Sequence, residues 1–364
     1  MSSTALNPAL QAHFTSDAAP RPILTSLNGD NSWLISFPRP AAERARHGNK
    51  AYFHVVSDAW LTRDTVLFSP WILNLRNQAE AAIPDGPAVE RLIREIETAA
   101  GAANLGSGAP AAEPQPSPVD AIFQNFHYSD HLDERTLRTF DPDTPVFATA
   151  EATAVIRPWH HFRHLATTRD LDPAKPEWLD LRPEGDAQLP EWLSIFRLVG
   201  HHPLNFATAI VYSSDSAAPD ASDGNSPPNS LRQDTQHEAL LYSPHGIRAD
   251  QPSLHAFAQK LDPPVRVLAL LHALKDSFAF GLRTTLGVAG GLALERQVRP
   301  KYWVKSHDAG LVYSGIVAWV AWINDITRSL EDGLAEEKAK AGNYDEVMKP
   351  NYIEVENGDS FVLA

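Results

Sequence analysis

Asn125-Phe126-His127-Tyr128-Ser129-Asp130-His131 sits between two segments of different periodicity. Before it, VDAIFQNF (119–126) is a short apolar run, which predicts a buried strand. After it, LDERTLRTF (132–140) predicts a helix opened by Asp133, because an Asp carboxylate accepts from the first free backbone N–H groups of a helix. His127, Asp130 and His131 therefore fall on a loop at the end of a core strand. A rigid sheet can hold such side chains in fixed geometry.

Three more segments repeat that arrangement. GHHP places His201 and His202 within a strand pair at 190–212, YSPHG places His245 just past the run Ala239 to Tyr242, and KSHD places His307 after Tyr302 to Lys305. Nitrogen and oxygen donors of this kind suit zinc, iron or manganese. The chain has 15 histidines and no cysteine. Disulfides, thiolate catalysis and cysteine-ligated clusters are thereby excluded, and a transition metal has only His, Asp and Glu to sit on.

Working outward, the 364 residues are 43% hydrophobic and 21% charged, an ordinary globular balance. Thirty-one Lys and Arg against 45 Asp and Glu give a net charge of -14, which disfavours a protein that binds nucleic acid by neutralising phosphates. No apolar stretch approaches a bilayer span, and MSSTALNPAL lacks the basic and apolar regions of an export signal, so a cytoplasmic protein without a membrane segment is expected.

Ile23 to Phe37 predicts a hairpin about Asn28-Gly29, and AYFHVVSDAWL a strand ending at Asp58. Val89, Leu92, Ile93 and Ile96 at helical spacing predict an amphipathic helix over 86–101. TPVFAT and PVRVLALLHAL predict strands. EATAVIRPWHHF predicts a helix interrupted by Pro158. Further helices are predicted near 287–298 and, as one long element, over about 312–340. The expected organisation is a flexible arm at 1–20, one α/β or α+β domain over 21–340, and a peripheral acidic tail at 341–364. Flexible insertions are expected at about 101–118 and 213–236, both rich in small residues and proline.

In its order of motifs the chain resembles the metallo-β-lactamase superfamily over roughly residues 22–312. The family's opening hairpin corresponds to Leu24 to Phe37, and the strand ending in Asp corresponds to SDAWL with Asp58. The signature T-H-x-H-x-D-H corresponds to N-F-H-Y-S-D-H, with GHHP, LLYSPHG and PKYWVKSHD following in the family's order. The resemblance implies a four-layer αββα sandwich with a metal site along one edge. Aligned on Asp130-His131, the family's two leading histidines fall on Phe126 and Tyr128, with His127 out of phase by one, and the bridging Asp falls at His245. An imidazole binds one cation where a carboxylate can bridge two. The expectation is therefore a mononuclear site drawn from Asp130, His131, His245 and His307, with His202 nearby.

One divalent ion, zinc or alternatively iron or manganese, would lower the pKa of a bound water toward about 7 and polarise an electrophile. Three histidines would ligate while Asp130 orients the water as general base. The substrate class is a small ester, lactone, amide or related electrophile. A rival reading is a metal-free member of the same fold that binds a ligand or protein partner; a nuclease is disfavoured by charge. Simpler roles suit other residues: WHHFRH (159–164) as a helix end, His127 as structural or exposed, and His272 as a hydrogen-bonded core histidine. Trp60, Trp71 and Trp303 read as core aromatics, and Asp58 as a carboxylate that orients a ligand histidine. Substrate identity and oligomeric state do not follow from the sequence.

Overall fold

A computed structural model of the chain describes residues 8–16, 18–67, 69, 71–101, 117–214, 236–320, 323–341 and 348–364. Among them, two large sheets face each other. The first runs, in spatial order, Glu184–Gly185, Leu165–Thr167, Val146–Ala148, Ala121–Gln124, Tyr52–Ser57, Trp33–Pro38, Ile23–Ser26 and Ser360–Val362. The second runs Tyr352–Ile353, Tyr302–Lys305, Arg266–His272, Gln236–Tyr242, Asn205–Ser214, Leu193–His202 and Arg169–Asp170.

Between the sheets lies a core of alternating inward residues, including Trp33, Ile35, Phe37 and Phe123 from the first and Ile195, Ile210, Leu240 and Leu268 from the second. Burying each such side chain contributes roughly 1.5–3 kcal/mol. The outward face of the first sheet is covered by the helix Gly86–Ala99, which buries Val89, Leu92, Ile93 and Ile96 against Ile122 and Val146. Asp85 caps this helix by accepting the Ala88 N–H at 2.8 Å. The outer face of the second sheet packs Leu254 and Phe257 of Pro252–Gln259 and Leu294 of Gly287–Val298 against Leu241 and Leu270. The result is the four-layer αββα sandwich expected from the sequence.

Direction matters more than layer count for the site. Tyr52–Ser57, Ala121–Gln124, Val146–Ala148 and Leu165–Thr167 are mutually parallel, as are Gln236–Tyr242, Arg266–His272 and Tyr302–Lys305. Parallel strands deliver their carboxyl ends to one edge, where open α/β sheets bind ligands. Asp58, the 125–131 loop, His245 and His307 all leave strands at such ends.

Three expectations need correction. The single helix over 312–340 is instead Leu311–Ser314, a strand paired with Leu73–Asn77, then the short helix Ile316–Val320, the strand Asn324–Ile326 and the helix Leu330–Ala341. Gly315, at φ 99°, breaks the segment where a Cβ would come within 2.7 Å of the Ile72 carbonyl oxygen. Second, the tail is not peripheral: Tyr352–Ile353 pairs with Trp303 and Val304, and Ser360–Val362 pairs with Ile23–Thr25. It extends both sheets. Third, the amino-terminal arm carries the helix Pro8–Thr15, which buries Leu10. The expected insertions fall mainly on 102–116 and 215–235, outside the described residues.

Candidate metal centre

His131, His245 and His307 converge although 176 residues separate the first from the last (307 − 131). Each offers a ring nitrogen, these atoms lie within 4.8 Å of one another, and all three residues are buried. Such a group could hold a metal ion.

Each ring is aimed by a bond at its far nitrogen. His131 Nδ1 lies 2.9 Å from Asp58 Oδ2, His307 Nδ1 lies 3.1 Å from Asp30 Oδ2, and His245 Nδ1 lies 3.1 Å from the Thr285 hydroxyl. A carboxylate behind an imidazole fixes Nδ1 as the protonated nitrogen and leaves Nε2 as the donor to a cation. Two of these nitrogens, on His131 and His245, stand 3.1 Å apart. Three imidazoles presenting Nε2 to one point are a donor set that fits a borderline divalent cation.

The carboxylates are themselves held. Asp58 Oδ1 accepts the Asn125 backbone N–H at 2.7 Å and the Asn125 side-chain amide at 3.0 Å. Asp30 Oδ1 accepts the Ala309 N–H at 2.9 Å, and the Asp30 carbonyl accepts the His307 N–H at 3.0 Å. Burial alone would push the Asp30 carboxyl up, but His307, Lys275 and the Ala309 N–H together hold it well below the usual carboxylate range. His131 shows the opposing balance: burial favours its neutral form, yet Asp58, Asp130 and Asp30 raise its pKa. His245 has no carboxylate behind it, and burial, His307, His131 and Lys275 push it well below the ordinary imidazole value.

Backbone conformation serves the same geometry. Asp58 and His307 adopt left-handed φ values of 47° and 67°, which non-glycine residues take only at a cost on the order of 1–3 kcal/mol. Gly246, at φ 84°, turns the chain just after His245, where a Cβ would sit 2.8 Å from His272 Nε2.

Phe126 is the residue that the sequence resemblance aligns with the family's first histidine. Its buried ring stacks on Phe206 at 4.3 Å and lies 4.5 Å from the His131 ring and 5.1 Å from that of His245. An apolar plug therefore occupies that side of the centre. His127 packs its ring against that of Tyr128 at 4.1 Å, half-buried and outside the group.

Of the residues singled out in the sequence, the fold brings together His131, His245 and His307. Asp130 is partly buried beside them; its charge reaches His131, and its carbonyl accepts the Asn31 amide at 2.7 Å, but it is not one of the converging group. His202 is not one of that group. It is exposed at the turn joining Leu193–His202 to Asn205–Ser214, where its Nδ1 accepts the Leu204 N–H at 3.3 Å. His272 is buried with Nδ1 donating to the Ala273 carbonyl at 2.6 Å. Trp60 and Trp303 are core residues, whereas Trp71 is 80% exposed.

Asp30 and Thr285 were not anticipated as orienting groups. Asp30 reads in the sequence as the third residue of a turn signal; the available hint was an Asp in a segment otherwise destined for burial. Thr285 carries no signal at all.

No family model matches the sequence, and no curated protein does. Solved structures do match in shape. An isothiocyanate hydrolase from Delia radicum gut bacteria superposes with a TM-score of 0.51 at 13% identity, over 93% of this chain and 98% of that one. A possible metal-dependent hydrolase from Veillonella parvula gives a TM-score of 0.50 at 9% identity, over 94% of this chain and 100% of that one. A metallo-β-lactamase fold protein from Bacillus subtilis matches at 0.44 and 10% identity, over 94% of this chain and 99% of that one. At such identities the likeness speaks to architecture alone. With its two facing sheets, flanking helices and donor loops along one carboxyl edge, the chain has the metallo-β-lactamase fold.

Proposed function

We propose that the chain is a metal-dependent hydrolase of a small electrophile, an ester, lactone, amide or related compound, with one divalent cation held by His131, His245 and His307. The observation that carries this reading is the triad itself: three buried imidazoles, each tied at Nδ1 and converging at the other nitrogen. A bound cation supplies a Lewis acid that polarises the electrophile and makes water acidic enough to act near neutral pH. The chain's own residues do the rest. Asp58, Asp30 and Thr285 keep the imidazoles aimed, Phe126 and Phe206 exclude water on one side, and Asp130 is the base that holds the proton removed from the attacking water.

Phe126, whose ring has no donor to give a second ion, supports the mononuclear reading. Zinc suits three imidazoles best, with iron and manganese as alternatives. The partner is a small molecule, and the net charge of -14 weighs against nucleic acid.

The test is elemental analysis of protein purified without chelator or histidine tag, beside His131→Ala/His307→Ala, followed by a hydrolysis screen. Esters, lactones and amides form the panel, joined by an isothiocyanate because a fold neighbour is a hydrolase of that class. About one metal per chain, absent from the double variant, with hydrolysis that the variant loses, is the expected result. No metal after reconstitution would overturn it in favour of a metal-free binding module.

A further inference from the structure

In the second sheet, Arg266–His272 lies between the strands that lead to His245 and to His307. The loop leaving it, 273–275, emerges between those two histidines and carries Lys275, which is 5% exposed. Two sets of bonds place this lysine. Its backbone N–H and that of Leu274 donate to the carboxylate of Asp308, the neighbour of His307, at 2.7 and 2.8 Å. Its Nζ donates to the Ala309 carbonyl at 3.2 Å, and the Ala309 N–H in turn donates to Asp30, the carboxylate behind His307. The lysine's charge is felt at both Asp30 and His245.

The ammonium is undersupplied with acceptors. It has three N–H groups. Beyond the Ala309 carbonyl, its partner among the described residues is Asp325, at 3.7 Å, too long for a hydrogen bond. Asp325 spends Oδ2 on the Tyr313 hydroxyl at 2.9 Å, and its buried Oδ1 has no hydrogen-bond partner among the described residues. A buried cation near the three histidines, with one hydrogen-bonded acceptor among the described residues for its three N–H groups, has donors left for the acceptor atoms of a ligand.

We propose that Lys275 recognises the substrate at the histidine centre, and that the substrate is an electrophile bearing an oxyanion group, a carboxylate or a phosphate. Lys275 Nζ binds that group and so orients the rest of the molecule toward His245 and His307. The proposal rests on the hydrolase reading for the reaction, and on the lysine's own surroundings for the recognition.

Anion binding can be measured apart from turnover. Cobalt(II)-loaded protein is titrated with acetate and with inorganic phosphate, reading the visible bands of the metal, for the natural chain, Lys275→Met, Lys275→Arg and Asp325→Asn. The expected result is cobalt uptake in all four, with affinity for one anion falling about tenfold or more in Lys275→Met and recovering in Lys275→Arg, since a charged hydrogen bond is at stake. Asp325→Asn removes the competing carboxylate and should tighten the anion several-fold, which decides the matter if Lys275→Met does not fold. Whichever anion responds names the group. Equal anion affinity across the variants, or none in the natural chain, with cobalt bound, overturns the role of Lys275 and leaves the hydrolase reading standing. Failure of cobalt to bind sinks the metal reading instead; the same variants are then compared by the thermal stabilisation that each anion confers, loss in Lys275→Met supporting the site and no difference overturning it.

Discussion

Asp30 Oδ2 lies 3.1 Å from His307 Nδ1, joining the turn of the first hairpin to a loop 277 residues later. The hairpin that opens the first sheet thus orients a donor delivered by the second, and the two sheets cannot shift relative to each other without disturbing the centre. Asp30→Asn keeps the size but removes the charge that fixes the imidazole. Metal affinity should fall about 10–100-fold, read by competition with a chromophoric chelator, while the fold persists. Unchanged affinity would mean that His307 is aimed by its backbone alone.

Asp58 makes the matching prediction for His131, with a pH signature added. Asp58, Asp130 and Asp30 raise the His131 pKa, so a proton competes with the metal at a higher pH than for a free imidazole. Apparent metal affinity should therefore rise with pH through the region above the usual histidine value and level off beyond it. Asp58→Asn should weaken binding at the plateau and move the rise to lower pH. Isothermal titration at a series of pH values checks both.

Phe126 is buried beside the centre, and its ring contacts are with Phe206, Tyr242 and the imidazoles of His131 and His245. Phe126→Ala should destabilise the protein by about 3–5 kcal/mol in denaturant titration, the range for truncating a buried Phe. Metal content should not rise above that of the natural chain, because the truncation supplies no donor.

Two buried histidines outside the converging triad should make the protein acid-labile. Burial pushes His272 down to about 4, and burial also lowers His54, whose ring lies between Ser36 Oγ at 2.8 Å and Glu97 Oε1 at 2.9 Å. A group whose folded pKa is depressed takes up its proton on unfolding, so its stability contribution is whole above the unfolded value and is lost as pH falls toward the folded one. For His272 that window runs from 6.5 to about 4, and the loss across it is on the order of 3 kcal/mol. His272→Asn retains a donor for the Ala273 carbonyl and should flatten the pH dependence of the melting temperature over this window. An unaltered profile would place the acid sensitivity elsewhere, with His54 and Glu97 the next pair to vary.

Local sequence carried much of the architecture. The Asn28-Gly29 hairpin, the amphipathic helix expected over 86–101 and found at Gly86–Ala99, and the strands that end before Asp58, His131, His245 and His307 all follow from short-range pattern. Hydrophobic period and turn chemistry act over a few residues, so they survive without knowledge of the rest of the chain. The 312–340 segment failed for the converse reason. LVYS and NDI become strands because Leu73–Asn77 and Asp276–Ala279 stand ready to pair with them, and propensity in an apolar run yields to such partners.

For the centre the division is similar. Residue type and position at strand ends named Asp130, His131, His202, His245 and His307 as candidate donors, of which three converge, and the spacing of Phe126 and Tyr128 against Asp130-His131 marked a departure from a two-metal pattern. Only the folded chain decided that His202 stays in its hairpin, that the carboxyl-terminal residues complete both sheets, and that Asp30 and Thr285 bond to two of the converging histidines. Those roles depend on which strands become neighbours and on what burial leaves each polar group to bond with, and both are settled by contacts between residues far apart in the chain.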